Sequence, residues 1–233
     1  MQIWEHGQEH ERTLLFFPCT AEPVWAFSET VALLSRKWHV FQVIYDGHQP
    51  EYPGDFTSVE QTVDEVTAYL KNHGVVHLDA AYGCSLGGAC LTRLLALGEI
   101  PVSRAIIDGG ITPYQLPYLV RKLRLALDVL SFKLVANNRK VLETAFPPER
   151  FTLPGHDAVK EYDEIERYLK TYSDRTIRNV FWSGNNYALP VTPAGSSKKL
   201  TYWYGDDEKK ERRSNIRFIK RYFPQIRIHG IPK

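Results

Sequence analysis

The chain has 233 residues, 43% of them hydrophobic and 24% charged, with a formal net charge of +2. This is ordinary globular chemistry, sufficient for one large α/β domain or a domain with an insertion. The small net charge selects no partner, and Lys and Arg are spread along the chain instead of forming one basic face, which speaks against nucleic acid.

Residues 1–5 read as a short edge strand, followed by a polar turn at 7–11. Residues 13–17 are apolar and bounded by Pro18, which predicts a buried strand. Over 24–38, Phe27, Val31, Leu34 and Trp38 recur at spacings of three and four, a helical pattern. The β-branched and aromatic run 39–45 predicts a strand, and Asp46-Gly47-His48-Gln49-Pro50 is turn chemistry. Ser58 with Gln61 makes a capping box; Val59, Val63, Val66 and Leu70 follow on one helical face, and Gly74 supplies the stop. An apolar run at 75–82, a helix-like run at 86–97 and a strand at 102–107 complete an alternation of strand and helix. That alternation implies a mostly parallel sheet with right-handed crossovers and helices on both faces, an α/β fold.

The rhythm breaks at Thr112. Helices are predicted at 117–137, at 139–146 with a stop at Pro147-Pro148, at 157–172 and at 174–182. Residues 112–194 therefore read as an inserted helical cap, with Ser183-Gly184-Asn185-Asn186 and 190–197 as the linker back. The run KLTYWY at 199–204 resumes the sheet and ends at Gly205-Asp206-Asp207-Glu208. Ile216, Ile219 and Phe223 mark an amphipathic helix, and 225–231 begins a last strand. The core is expected to comprise 1–111 and 195–233.

The chain is organised around Gly83-Cys84-Ser85-Leu86-Gly87-Gly88, between a predicted strand and a predicted helix. A serine at such a corner sits in a strained turn with its hydroxyl pushed outward. Strand and helix then pass so closely that the positions two before and two after must be small, and here they are Gly83 and Gly87.

Four features occur in order: the strand and turn after Leu14, the Asp46-Gly47-His48 turn, the serine elbow, and the acidic turn after Tyr204. Together they resemble the α/β-hydrolase superfamily in its cap-bearing form, over nearly the whole chain. The stretch 80–88 looks like a bacterial subgroup of uncharacterised hydrolases of that fold. The resemblance implies a nucleophile at Ser85 and a first oxyanion donor at the Leu86 amide. It implies a second donor at Thr20, with Cys19 as the alternative, in a loop that has Pro18-Cys19 where the family has His-Gly. The triad acid is expected at Glu208 by its spacing from Gly205, with Asp207, Asp206 and Asp108 as alternatives. The base histidine of the family follows the last strand, and His229, inside that strand, comes too early. The expectation is that the gene product continues past Lys233 into the histidine loop, so that activity depends on a histidine outside this chain.

Other signals point to no cofactor and no metal. His73 and His77 have a zinc-like spacing but lack the helix and the glutamate after the first histidine, and Gly83 to Gly88 lacks the Lys-Ser/Thr of a phosphate loop. Cys19, Cys84 and Cys90 form no disulfide framework. There is no leading apolar segment of signal type, and no apolar run approaches a membrane span. The expected protein is soluble and cytoplasmic, with a small-molecule substrate and neither nucleic acid nor a membrane as partner. Aromatic residues in the cap (Tyr114, Tyr118, Phe132, Phe146, Tyr162, Tyr168, Tyr172, Phe181, Trp182 and Tyr187) are expected to pack cap onto core, two or three of them facing substrate. The expected activity is hydrolysis of a small apolar ester or related acyl compound. The rival, from a different class, is a non-catalytic ligand-binding protein on the same fold. A third, scaffolding reading rests only on the basic run 209–213.

Overall fold

A computed structural model describes residues 1–52, 54–113, 116–147, 157–195 and 197–232. Tyr114, Pro148, His156, Ser196 and Lys233, each named above or within a predicted segment, lie outside the described residues.

Seven strands form one sheet: β1 (Gln2–His6), β2 (Thr13–Phe17), β3 (His39–Ile44), β4 (Leu78–Cys84), β5 (Val102–Asp108), β6 (Ser197–Gly205) and β7 (Arg227–Ile231), in the order β1-β3-β2-β4-β5-β6-β7. β1 pairs antiparallel to β3, and every other pairing is parallel. The elbow strand β4 therefore stands at the centre, with three strands on each side. In β2, Leu15 and Phe17 face the larger core while Leu14 and Phe16 face the opposite side, as the two-residue period of a strand requires.

Helices cover both faces. α1 (Ser28–Leu34) closes one face through Val31. α2 (Val59–Asn72), α3 (Leu86–Leu97) and α8 (Arg213–Tyr222) contribute to the main core cluster with Val63, Leu91 and Ile219. The helix expected over 24–38 is split: a 3-10 turn spans Val24–Phe27, and α1 ends at Leu34, where the Ser35 amide donates to Val31. The cap at Ser58 forms, since its hydroxyl accepts the Gln61 amide at 3.1 Å. The reciprocal half of the box does not, because the Gln61 side chain turns to Glu65 instead.

Between β5 and β6 the described residues hold four helices and no strand: α4 (Tyr118–Asn137), α5 (Arg139–Ala145), α6 (Ala158–Leu169) and α7 (Asp174–Asn186). They share a small apolar cluster built on Leu142, Tyr162, Tyr168, Leu169 and Ile177. α7 also belongs to the main core through Val180. Its last turn corrects the sequence reading, which takes Ser183-Gly184-Asn185-Asn186 as linker. The Ser183 hydroxyl accepts the Val59 amide at 2.7 Å, so the segment is docked on the start of α2. The Asn185 and Asn186 side chains bond back to the carbonyls of Phe181 and Trp182, so these turn-forming residues serve helical backbone.

Candidate active site

β4 ends at Cys84 and α3 starts at Leu86, leaving Ser85 alone at the corner with φ +51° and ψ −108°. For a residue with a Cβ this is sparsely populated, strained backbone. Three backbone hydrogen bonds hold it there: the Ser85 amide donates to Asp108 at 2.9 Å, and its carbonyl accepts from Ala89 and from Ile111, both at 3.2 Å.

The glycines act as the sequence reading expects. A Cβ on Gly83 would stand 2.3 Å from the Gly87 carbonyl oxygen, and one on Gly87 would stand 2.3 Å from the Phe17 oxygen. Gly88 meets Gly110 in the same way, 2.4 Å from its Cα. The end of β2 and the Pro18 carbonyl, 2.5 Å from the same Cβ position, are thus pressed against the first turn of α3, which opens on the Leu86 amide. That amide has no partner within the helix, since the first amides of any helix lack one. Neither the Cys19 nor the Thr20 amide donates to a protein acceptor among the described residues. The Ser85 hydroxyl likewise has no protein partner among them. The N-terminus of α3 adds a positive partial charge on the same side.

The loop after β2 lacks the family's glycine, yet its backbone is firmly set. Ala21 takes the left-handed conformation, φ +65°. Tyr45 donates to the Pro18 carbonyl at 2.9 Å. A relay then returns the loop to itself. The Ala21 amide donates to the Tyr172 hydroxyl, Tyr172 donates to Tyr168, and Tyr168 donates to the Glu22 carbonyl, with separations of 3.0–3.1 Å. The direction is forced, because the carbonyl at the far end can only accept.

His48 completes the frame. Its Nδ1 lies 3.1 Å from the Asp46 carbonyl, which can only accept, so Nδ1 carries the proton. Nε2 is then the acceptor for the Thr20 hydroxyl at 2.9 Å. Burial pushes the His48 pKa down to about 4, against the smaller opposing effect of the Asp46 carbonyl and carboxylate, so the ring is neutral at ordinary pH. The sequence reading gives His48 no role. What it lacks is the contact with Thr20, 28 positions away.

The thiols of Cys19 and Cys84 are neighbours, and all three cysteines are free. The Cys84 hydrogen bond first, then burial and the Glu22 charge, push the Cys19 thiol well above its usual range. Burial likewise raises Cys90. Cys19 and Cys90 are therefore inert, packed groups at neutral pH.

The carboxylates diverge. Glu208 accepts from Arg212 Nε at 3.0 Å, one helical turn away. Asp206 lies against the backbone of β7: a Cβ on Gly230 would stand 2.0 Å from its Oδ1. Asp207 is exposed in the same turn. Asp108 accepts the Tyr82 hydroxyl at 2.7 Å. The Arg212 guanidinium, which the sequence reading takes only as part of the basic run 209–213, reaches to 3.3 Å from the position of a Gly109 Cβ, beside the loop that follows Asp108. His229 is exposed in β7, paired in register with Trp203. No histidine among the described residues hydrogen-bonds Ser85. Nor do three His, Cys, Asp or Glu side chains among them gather as metal ligands. A surface cavity of about 310 Å³ is lined by Trp25, Glu51, Arg167 and Tyr168, and Ser85 is not among its lining residues.

No protein-family model and no curated protein matches the sequence. Solved structures match its fold. A protein from Desulfitobacterium hafniense assigned to the α/β hydrolase family superposes with a TM-score of 0.70 at 14% identity, covering 99% of this chain and 90% of that one. MenH from S. aureus gives 0.69 at 15% identity, with coverage of 99% and 88%. The enol-lactonase from Burkholderia xenovorans gives 0.64 at 13%, with coverage of 99% and 87%. Strand order, elbow and superposition agree: the chain has the α/β-hydrolase fold.

Proposed function

We propose that the protein is a serine hydrolase acting on a small apolar ester or related acyl compound, with Ser85 as nucleophile. The observation that carries this is the strained Ser85 corner at the N-terminus of α3, whose hydroxyl has no partner among the described residues, with the Cys19 and Thr20 amides likewise donating to none of them. Ser85 Oγ would attack the acyl carbonyl while a base takes its proton. The resulting oxyanion would be held by the Leu86 amide and the Thr20 amide, with Cys19 as the alternative donor. Expulsion of the leaving group gives an acyl-enzyme, and water then releases the acid. An esterase and an enol-lactonase are among the solved structures of similar fold, which supports acyl chemistry without choosing the leaving group.

The resemblance assigns the base to the segment after β7 and the acid to the turn after β6. Glu208, first by spacing, is engaged by Arg212, and Asp108 is engaged by Tyr82. Asp206 leans on Gly230 in β7, which supports it beside Glu208 as a candidate for the triad acid. Non-catalytic ligand binding is the second reading, favoured by the lack of any hydrogen bond from a described histidine to Ser85.

A fluorophosphonate probe on the full gene product separates the two. Covalent labelling that disappears in Ser85→Ala supports the hydrolase. A folded protein that takes no label, or a label that survives Ser85→Ala, would falsify it.

A further inference from the structure

α4 has two apolar faces, and only one of them is used. Val129, Phe132, Val135 and Ala136 pack into the cluster shared with α6 and α7. On the opposite side Leu119, Val120, Leu123, Leu127, Leu130 and Leu134 are each between 44% and 79% exposed. At about 100° per residue these six fall within an arc of about 100°, along a helix about 30 Å long. Isolated exposed leucines are commonplace, but a continuous stripe of this size marks a contact surface.

The borders of the stripe say what it meets. Arg124 runs along one edge, and Lys122 and Lys133 run along the other. Lys122 lies over the rings of Tyr118 and Trp182, and Lys133 reaches Asp174 at the rim. The helix carries one carboxylate, Asp128, which is half-buried beside Arg124 and away from the stripe. Two copies of the chain pairing on this face would set a basic edge against a basic edge. An apolar stripe flanked on both sides by cations instead fits a surface that is apolar within and anionic at its border.

We propose that α4 is an interfacial helix that seats the protein on an anionic phospholipid bilayer. The leucines enter the acyl boundary while Arg124, Lys122 and Lys133 lie among the headgroups. This is peripheral contact: no helix among the described residues is long and apolar enough to cross a membrane. It departs from the sequence expectation of no membrane partner, which considers spanning segments and not a laterally exposed stripe. It is independent of the chemistry at Ser85.

Co-sedimentation of the full-length protein tests it, using phosphatidylcholine vesicles with and without about 30% phosphatidylserine. The expected result is at least about tenfold stronger partition onto the anionic vesicles, weakening as salt is raised. Leu123→Glu with Leu127→Glu should leave the protein in the supernatant with its melting temperature retained. Lys122→Glu with Lys133→Glu keeps the stripe intact and should lose the preference for anionic vesicles, which covers the case in which the first variant misfolds. The proposal is overturned if the wild type ignores both vesicle types, or if both variants bind as the wild type does. It is equally overturned if the wild type sediments as a dimer that the leucine variant dissociates.

Discussion

His48 shows how a single side chain, distant from the chemistry in sequence, sets the loop beside it. Both ring nitrogens are spoken for, one by a carbonyl and one by the Thr20 hydroxyl, and only the neutral ring can make both bonds. Protonation in the folded state would remove the acceptor and bury a charge. Because the folded-state pKa, about 4, is below the ordinary 6.5, the unfolded chain binds the extra proton first. The associated stability is complete above pH 6.5 and is lost as pH falls toward 4, by about 3 kcal/mol in all. Denaturant unfolding at stepped pH should show this loss in the wild type. In His48→Asn the decline over that window should be shallower by a similar amount; an identical slope would mean that the ring does not titrate as described. Ser85 carries a different burden, a strained conformation held by three backbone hydrogen bonds. Strain of this kind at a half-buried hydroxyl is what the proposed role of Ser85 calls for.

At the scale of elements, the elbow depends on the backbone of β2 touching the backbone of α3. Gly87→Ala would drive a Cβ to 2.3 Å from one carbonyl oxygen and 2.5 Å from another, and neither is a flexible side-chain end. A loss of about 3 kcal/mol or more is expected, the upper end of overpacking penalties. Gly74→Ala is the control. Nothing lies within 4 Å of its added methyl, and only the left-handed φ of +73° opposes it, so about 1 kcal/mol is expected. Thermal melts of the two variants check the contrast; similar melting temperatures would show that the close approach carries no energetic weight. Most of these elements were legible from local pattern. Strands β2 and β3 follow from unbroken apolar runs, and α2 from its periodicity and its serine cap. The end of α7 was not, because Ser183, Asn185 and Asn186 favour turns by themselves and are helical here through partners on α2 and within their own helix.

For the whole molecule, sheet order and elbow could be read from the alternation of elements, while the frame of the site could not. The relay that sets the loop after β2 runs from Ala21 to Tyr172, 151 positions apart, and no local pattern announces such a pair. The position of Arg212 beside Gly109 is hidden for the same reason. α7 has a consequence of its own. Thr176 accepts the Phe56 amide, Asn179 donates to the Phe56 carbonyl and Ser183 accepts the Val59 amide, so this helix is bonded across more than half the chain to the segment before α2. α4 packs on the rest of the block by one face. Hydrogen–deuterium exchange should therefore divide the block between β5 and β6 in two. The amides of α7 should exchange only when the whole domain opens, while those of α4 exchange sooner, by a smaller excursion. Equal protection would mean that the four helices open as one unit. The slow clock of α7 would make it a fixed post, and any movement within the block would belong to the helices before it.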